Sequence, residues 1–400
     1  AYHDQGKWDL AIASYQEAIN LDPQDLEVRL NLGCALQAKG QLAAAKEVFG
    51  EVINLDPDFA CARCKMGALL YGEGNLDQAA WQLKKALRLD HNCPEGHHAL
   101  GLVLFGKGKL HFALAELRQA VRIDPAHLEA GCDLGFVLQA AGELDAAATE
   151  YRKVLLYHPE QLEAKIGLAS LLVQRKDYDT ALRAYQEIVA LAPEHPDALL
   201  GLGRLYELSD KPTAALEAYQ EAIRVAPGFG EAHLAAGWLY HNNQDISSAL
   251  RAFEQACLLL PQEAAAYLGH GFALLQCKRF GEAQMAFEHS LGLLPESTEA
   301  QFGLAMALAA QGGAATKAII AFRKVLEVAP DNAIAHLSLG SLLIASGEAK
   351  LAIAELETAT RLAPQLAVTH FKLSLALLLQ GSFHKALLSA FRGIRRLRLR

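Results

Sequence analysis

The chain has 400 residues and contains no uninterrupted apolar run of the ~18 residues that a membrane-spanning helix needs. It has fewer basic than acidic residues, 37 Lys and Arg against 45 Asp and Glu, which gives a formal net charge of -8. Bulk nucleic-acid binding needs basic surface to neutralise phosphates, and this composition does not supply it. We therefore predict no membrane span and no nucleic-acid partner.

Cysteine is also scarce, and its pattern is not that of a secreted protein. The seven cysteines are odd in number and have no framework spacing, and the chain contains no Asn-x-Ser/Thr glycosylation acceptor. These features favour a reducing compartment, so we expect a cytoplasmic protein. The sequence starts at Ala1 without Met, inside a predicted helix. We interpret it as part of a longer chain, which leaves export open.

Catalytic motifs are absent. There is no phosphate-binding loop, no nucleophile elbow and no His-Glu-x-x-His, and the isolated His and Asp residues form no recognisable constellation. We expect no catalytic residues and no cofactor. Cys61 and Cys64 share a helix face and could supply half of a zinc site, with His98 or Cys132 closing it from a neighbouring helix. We favour packing roles for these thiols and expect no bound metal, with zinc or redox function as the alternative.

The residues that are present repeat with a period of 34. Ten of the 13 prolines mark this period, with one step of 35 residues near Gly312-Gly313, and His91 takes the one vacant mark. The marks are Pro23, Pro57, Pro125, Pro159, Pro193, Pro227, Pro261, Pro295, Pro330 and Pro364.

Three further positions are fixed relative to each mark. Alanine always lies twelve residues before it, a small residue lies 24 before it, and an aromatic residue usually lies eight before it. The pattern predicts two short helices of about 14 residues in each unit. Small residues let the two helices approach closely, the aromatic fills the space beside them, and proline ends the second helix. Neither helix can bury its apolar stripe alone, so stacked units must share a core.

This pattern resembles the tetratricopeptide repeat, as Leu32-Gly33, Ala45, Phe49 and Pro57 illustrate. The resemblance implies an all-α, right-handed superhelical solenoid of antiparallel helix pairs, about twelve repeats in one domain over residues 1–400. A partial unit covers 1–25, and full repeats begin at 26, 60, 94, 128, 162, 196, 230, 264, 298, 333 and 367. The family's early Trp is missing, since residues such as Arg29, Arg63 and His97 occupy its position.

In each first helix we place the core at unit positions 4, 7, 8 and 11, which leaves a second stripe at positions 2, 5, 9 and 12. The resemblance implies that this stripe lines a concave surface that binds partner peptides or helices. Its C-terminal half is apolar with an acidic rim. We therefore predict one partner site, the groove site, formed by Glu231, Leu234, Trp238, Leu268, Phe272, Leu275, Glu299, Phe302 and Met306.

Two hypotheses for function follow. The first is a non-catalytic scaffold for protein–protein interaction. The second is the substrate-recruiting arm of a larger enzyme, such as a glycosyltransferase, sulfotransferase or methyltransferase, whose catalytic domain lies outside this segment. Position 5 has no Lys and position 9 has no Asn, so the clamp of chaperone-binding relatives is absent. The asparagine ladder of the sugar-transferase superhelix is disfavoured, because Asn31 is the only asparagine at position 6.

The C-terminal end has two unusual features. Its last helix carries Leu387, Leu388, Phe391, Ile394 and Leu397, a set too apolar for a free end, so we expect self-association there or further protein beyond it. The last nine residues also hold five arginines, at 392, 395, 396, 398 and 400. We interpret these as complementing the helix dipole, with an anionic partner or membrane surface as the alternative.

Overall fold

The computed structural model describes residues 6–313 and 315–397, and within them it contains 23 α-helices and no strand. The all-α helix-pair fold predicted from the sequence is confirmed. No helix in the described ranges is both long enough and apolar enough to cross a membrane. By contacts the chain divides into two compact units, Ala1–Leu191 and Ala192–Arg400. The single continuous solenoid stays a prediction.

The first unit contains eleven helices, and consecutive helices pack against each other. They are α1 Trp8–Leu21, α2 Leu26–Ala38, α3 Leu42–Leu55, α4 Ala60–Gly72, α5 Leu76–Leu89, α6 Pro94–Gly106, α7 Leu110–Ile123, α8 Leu128–Ala140, α9 Leu144–Tyr157, α10 Leu162–Gln174 and α11 Tyr178–Leu191.

The second unit contains twelve helices packed in the same sequential way. They are α12 Pro196–Leu208, α13 Pro212–Val225, α14 Gly230–Asn242, α15 Ile246–Leu259, α16 Ala264–Gln276, α17 Phe280–Leu293, α18 Thr298–Ala310, α19 Ala315–Val328, α20 Ala333–Ala345, α21 Ala349–Leu362, α22 Ala367–Leu379 and α23 Phe383–Leu397. Even-numbered helices are the first helices of the repeats, and odd-numbered helices are the second.

Local chemistry sets where these helices begin and end. Second helices stop two residues before the closing proline, which has no N–H to continue the helix; α13, for example, ends at Val225 before Pro227. Several first helices are capped by a polar side chain, as where Asn332 accepts from the main-chain N–H of Ala335 at 3.0 Å. The turn between the two helices of a repeat needs a left-handed residue. Gly347 supplies it at φ 81°, whereas Lys278 adopts φ 59° at the corresponding place.

In most second helices an aromatic residue forms the centre of the packing. Phe287 is fully buried and lies between Gly271 of its own repeat and Gly303 of the next. A Cβ at Gly303 would lie 2.3 Å from the ring, and a Cβ at Gly271 would lie 2.7 Å from it. Phe253 is held in the same way by Gly237 and Gly269. The small residues are therefore required by direct contact with the ring.

The buried positions of the first helices differ in part from the prediction. In α14 the buried residues stand at positions 1, 3, 7, 8 and 10. Positions 7 and 8 were expected in the core, whereas positions 3 and 10, here Ala232 and Leu239, were not. They are buried because the first helix packs on one side against its own second helix and on the other against the preceding one.

Position 4 is buried or half-buried, as expected of a core position, but in most repeats it carries a polar residue in place of the family's Trp. In seven repeats its side chain donates a hydrogen bond of 2.7 to 3.3 Å to the main-chain oxygen six residues earlier, at the mark that ends the preceding repeat. These residues are Arg29, Arg63, His97, His233, Gln301, His336 and His370. A polar side chain here satisfies a loop carbonyl and joins consecutive repeats.

Four of these side chains also contact the second helix of their own repeat. Nδ1 of His97 lies 2.6 Å from Oε2 of Glu116, and Nδ1 of His336 lies 2.6 Å from Oε2 of Glu355. Arg29 donates to Glu51, and Arg63 donates to Gln82. In the two histidine pairs the partner stands 19 residues after the position 4 residue.

Some sequence predictions lie outside the described residues. These are the helix around Ala1, and Arg398 and Arg400 of the terminal arginine group. The backbone of Leu397 ends α23, but its side chain is also outside the description.

Candidate partner-binding groove

The predicted stripe lies on the accessible side of the first helices. At position 2, Glu231 and Glu299 are exposed, whereas the apolar members of the groove site are all half-buried. Trp238, Phe272 and Met306 occupy position 9 of α14, α16 and α18, which are first helices of successive repeats and contact one another in order. We call these three residues the apolar strip.

The aromatic members of the groove site stand on the aromatic core beneath them. The Trp238 ring meets Phe253 edge to face at 5.2 Å between centroids, and Phe272 meets Phe287 in the same way at 5.2 Å. Phe302 meets Phe322 at 6.1 Å. Each of these half-buried rings is therefore supported by the core and keeps part of its surface accessible. Truncating Trp238 should therefore also lower the stability of the fold. A residue that lay only on the surface would leave the melting temperature nearly unchanged.

The remaining members of the groove site pack in the same half-buried manner. Leu234 lies with Trp238 against the cluster around Phe253, and Leu268 and Leu275 lie with Phe272 against the cluster around Phe287. Met306 packs against the cluster that contains Leu339, and its sulfur lies 3.9 Å from the Ser338 hydroxyl of α20. The groove site is thus built repeat by repeat, with each part supported by its own core.

A pocket of about 490 Å³ opens beside Trp238. Its walls bring Glu231, Leu234 and Trp238 together with Arg204, Glu207 and Glu263. The three carboxylates outnumber the single guanidinium, so the rim is acidic. An acidic rim around an apolar floor favours a partner with basic residues beside an apolar face.

Sequence reasoning missed Arg204, Glu207 and Tyr219. Arg204 and Glu207 occupy positions 9 and 12 of α12, which belong to the predicted stripe. They were not included in the groove site because only the apolar residues and acidic position 2 residues of the stripe were chosen. The hydroxyl of Tyr219, at the base of the pocket, donates to Oε2 of Glu207 at 2.9 Å. Burial, with Glu207 beside the hydroxyl, raises the pKa of Tyr219. Tyr219 therefore stays a neutral donor that fixes the Glu207 carboxylate at the rim.

The cysteines of the first unit do not assemble a metal centre. In the described ranges, no group of three or more His, Cys, Asp or Glu side chains is arranged to hold a metal ion. The structure instead pairs Cys64 with Cys93, whose sulfur atoms lie 3.7 Å apart. Hydrogen bonds from the Cys64 thiol and from the main-chain N–H of Gly96 lower the pKa of the Cys93 thiol. Donating that hydrogen bond, together with burial, raises the pKa of the Cys64 thiol. The structure therefore brings no further ligands to Cys61 and Cys64 within the described ranges, and the absence of a bound metal stays a prediction.

The last helix leaves an apolar face uncovered. Phe383, Leu387 and Phe391 of α23 are each more than 60% exposed, and Leu388 and Ile394 are exposed as well. A helix buried on one side only normally presents polar residues on the other.

Known proteins share both the repeat and the fold. Profiles described as tetratricopeptide repeat match residues 36–103, 132–196, 166–229, 201–266, 270–329 and 315–367, and one described as TPR repeat matches residues 1–40. A comparison with curated protein sequences found no match.

Solved structures similar to this chain include the Cut9 and Hcn1 hetero-tetramer of the APC/C, at 14% identity and a TM-score of 0.54, covering 94% of each chain. A monomeric mutant of IFIT1 with m7Gppp-AAAA is similar at 16% identity and a TM-score of 0.54, covering 98% of this chain and 95% of that one. At these identities the likeness concerns the fold alone. Because the tetratricopeptide profiles match more than half of the sequence, the chain belongs to the tetratricopeptide repeat family.

Proposed function

We propose that the groove site binds a partner helix that presents an apolar face flanked by basic residues. As a tetratricopeptide repeat protein, the chain is a scaffold for protein–protein interaction, of a kind that is typically non-catalytic. The observation that carries the finer proposal is the apolar strip. Three successive repeats present Trp238, Phe272 and Met306 at one register position, beside a pocket whose rim is acidic.

The chemistry of these residues fits this kind of partner. Large aromatic and Met side chains are enriched where proteins bind each other, and a half-buried ring is already fixed, so it loses little freedom on binding. An amphipathic helix laid in an apolar groove contributes anchors every three or four residues. Glu231 and Glu299 are exposed at the edge of the strip, where they attract Lys or Arg at the border of such a face.

A model peptide tests this proposal. We expect a helical peptide of about 18 Leu and Lys residues with one apolar face to bind the chain, and its Leu and Glu counterpart to bind far more weakly. Exchanging Glu231→Lys and Glu299→Lys together should weaken the Leu/Lys peptide and strengthen the Leu/Glu peptide, because both carboxylates are exposed. Calorimetric titration measures both. Equal affinity of the two peptides, or no effect of the exchange, would contradict the acidic rim.

We propose in addition that the exposed face of α23 mediates self-association. Phe383, Leu387 and Phe391 form an uncovered apolar surface that pairing of two copies would remove from water. We expect the apparent mass of the chain in light scattering to rise with concentration. Leu387→Glu with Phe391→Glu should abolish that rise while leaving helicity unchanged. A mass that stays monomeric up to about 100 μM, a range in which weak interfaces associate, would refute the proposal.

A further inference from the structure

A cleft of about 670 Å³ lies between α21 and α23 and concentrates positive charge. Arg361 reaches it from α21, and Arg392, Arg395 and Arg396 reach it from α23. Among the described residues Glu357 is the only acidic one that lines it, so the four arginines exceed the carboxylates by three charges. None of the four arginines forms an ion pair with another described residue. We call this cleft, with His370 in its wall, the arginine cleft.

His370 lacks the glutamate partner that two of the other three position 4 histidines have, while the third, His233, has Ala252 at the corresponding place. Like the histidines at position 4 of other repeats, it contacts the loop carbonyl through Nε2, here that of Pro364 at 3.3 Å. In the repeats of His97 and His336 the other ring nitrogen meets a glutamate, Glu116 or Glu355. In the last repeat the corresponding residue, 19 positions on, is Ser389.

The serine does not replace the glutamate. Its hydroxyl donates to the main-chain oxygen of His370 at 2.9 Å, so it turns away from the ring nitrogen. Nδ1 of His370 is buried and has no hydrogen-bond partner among the described residues, in a side chain that is only 5% exposed. Since Nε2–H donates to the Pro364 carbonyl, a carboxylate beside Nδ1 pairs with the doubly protonated ring, in which Nδ1–H is a second donor. A buried polar atom without a partner costs free energy, which such a ligand can recover.

The corresponding cleft between α7 and α9 provides an internal comparison. It has about 550 Å³ and is also lined by basic residues, Arg118, Arg122 and Lys153. There, however, Glu150 stands where Ser389 stands in the last repeat, and it pairs with Lys153 at 2.7 Å. Arg118 pairs with Glu143 at 2.9 Å. The basic groups of that cleft are largely neutralised within the chain, whereas those of the arginine cleft are not.

We propose that the arginine cleft binds an acidic peptide segment, with one carboxylate in the place that Glu116 and Glu355 hold beside their histidines. Guanidinium groups bind carboxylates through paired hydrogen bonds, and four of them around one cavity suit several acidic side chains. The volume is far larger than one carboxylate requires, so a segment with consecutive Asp or Glu residues fits. This site is separate from the groove site, which takes a basic partner, and it does not depend on that proposal.

Fluorescence anisotropy with fluorescein-labelled hexaglutamate tests the arginine cleft, with hexaglutamine as the neutral control. Arg361→Gln with Arg392→Gln should weaken hexaglutamate binding at least tenfold. The matched pair Arg251→Gln with Arg323→Gln removes two exposed arginines outside the cleft. It should change the affinity for hexaglutamate less than twofold. Ser389→Glu should weaken binding at least fivefold, because the restored carboxylate occupies the position beside His370. Circular dichroism establishes that each variant is folded.

Several outcomes would overturn the proposal. If both pairs of arginine substitutions weaken hexaglutamate binding equally, binding depends only on the net charge of the chain. Hexaglutamate that does not bind at millimolar concentration would exclude the site. Inorganic phosphate or oligothymidylate that displaces hexaglutamate at lower concentration than unlabelled hexaglutamate does would assign the cleft to phosphate ligands instead. The exposed arginine variants keep the test decisive if Ser389→Glu fails to fold.

Discussion

Replacing Trp238 with alanine is expected to weaken binding of the Leu/Lys peptide at least tenfold. Large, desolvated aromatic anchors carry most of the energy of an interface, and their truncation typically costs about 2 kcal/mol or more. The same substitution should lower the melting temperature, since the Trp238 ring rests on Phe253 at 5.2 Å. For a half-buried ring we expect a loss of roughly 2 kcal/mol of folding stability, below the range for fully buried aromatics.

A control must therefore separate the loss of an anchor from the loss of stability. Phe253→Leu serves this purpose, because it removes the ring beneath Trp238 but leaves Trp238 itself in the groove. Leucine is already accepted at the corresponding position in other repeats, at Leu83, Leu117 and Leu356. We expect Phe253→Leu to lower melting and to retain peptide binding within about threefold, a difference below 1 kcal/mol.

Binding should be measured by titration well below both melting temperatures, so that every variant is folded. If Phe253→Leu and Trp238→Ala weaken the peptide equally, Trp238 acts as a core residue and the groove site loses its main anchor. If neither changes the affinity, the peptide binds elsewhere on the chain.

Substituting Gly303 with alanine is expected to destabilise the second unit by up to about 2 kcal/mol net. Overpacking a close-packed core usually costs about 1–3 kcal/mol, and the gain in helix propensity offsets about 1 kcal/mol of that cost. The added Cβ would lie 2.3 Å from the ring of Phe287, well inside the contact distance of two carbon atoms. The ring is fully buried and enclosed from the other side by Gly271, so it cannot move aside. The cost of overpacking should therefore exceed the gain in helix propensity.

Gly292→Ala is the matched control in the neighbouring helix. Nothing lies within 4 Å of a Cβ placed there, so only the propensity and chain-entropy gain remains, about 0.4–1 kcal/mol. Urea denaturation of the two variants should therefore shift in opposite directions. Adding Phe287→Leu to Gly303→Ala should recover part of the loss, because a smaller side chain frees the space that the new methyl group needs. A Gly303→Ala variant as stable as Gly292→Ala would contradict the close contact.

The sequence by itself determined the repeat and its helices. Proline marks where ten of the second helices stop, and alanine, a small residue and usually an aromatic recur at constant distances from that mark. Local chemistry and period were therefore enough to predict the helix pairs. The stripe that holds Glu231, Trp238 and Glu299 was also readable, because a helix face follows from spacing alone. Whether this stripe binds a partner stays a prediction.

Tertiary structure decided what depends on the neighbouring repeat. Positions 3 and 10 are buried because each first helix is enclosed by two second helices, which the period of one helix does not reveal. The polar residues at position 4 were visible in the sequence, but the loop carbonyls that they contact were not. The groove aromatics proved to rest on core aromatics, so their exposure is partial. The arginine cleft depends on contacts between residues far apart in sequence, Arg361, His370 and Arg392, and on where the Ser389 hydroxyl points. Spacing along one helix cannot show such convergence, because stacking of separate helices creates it.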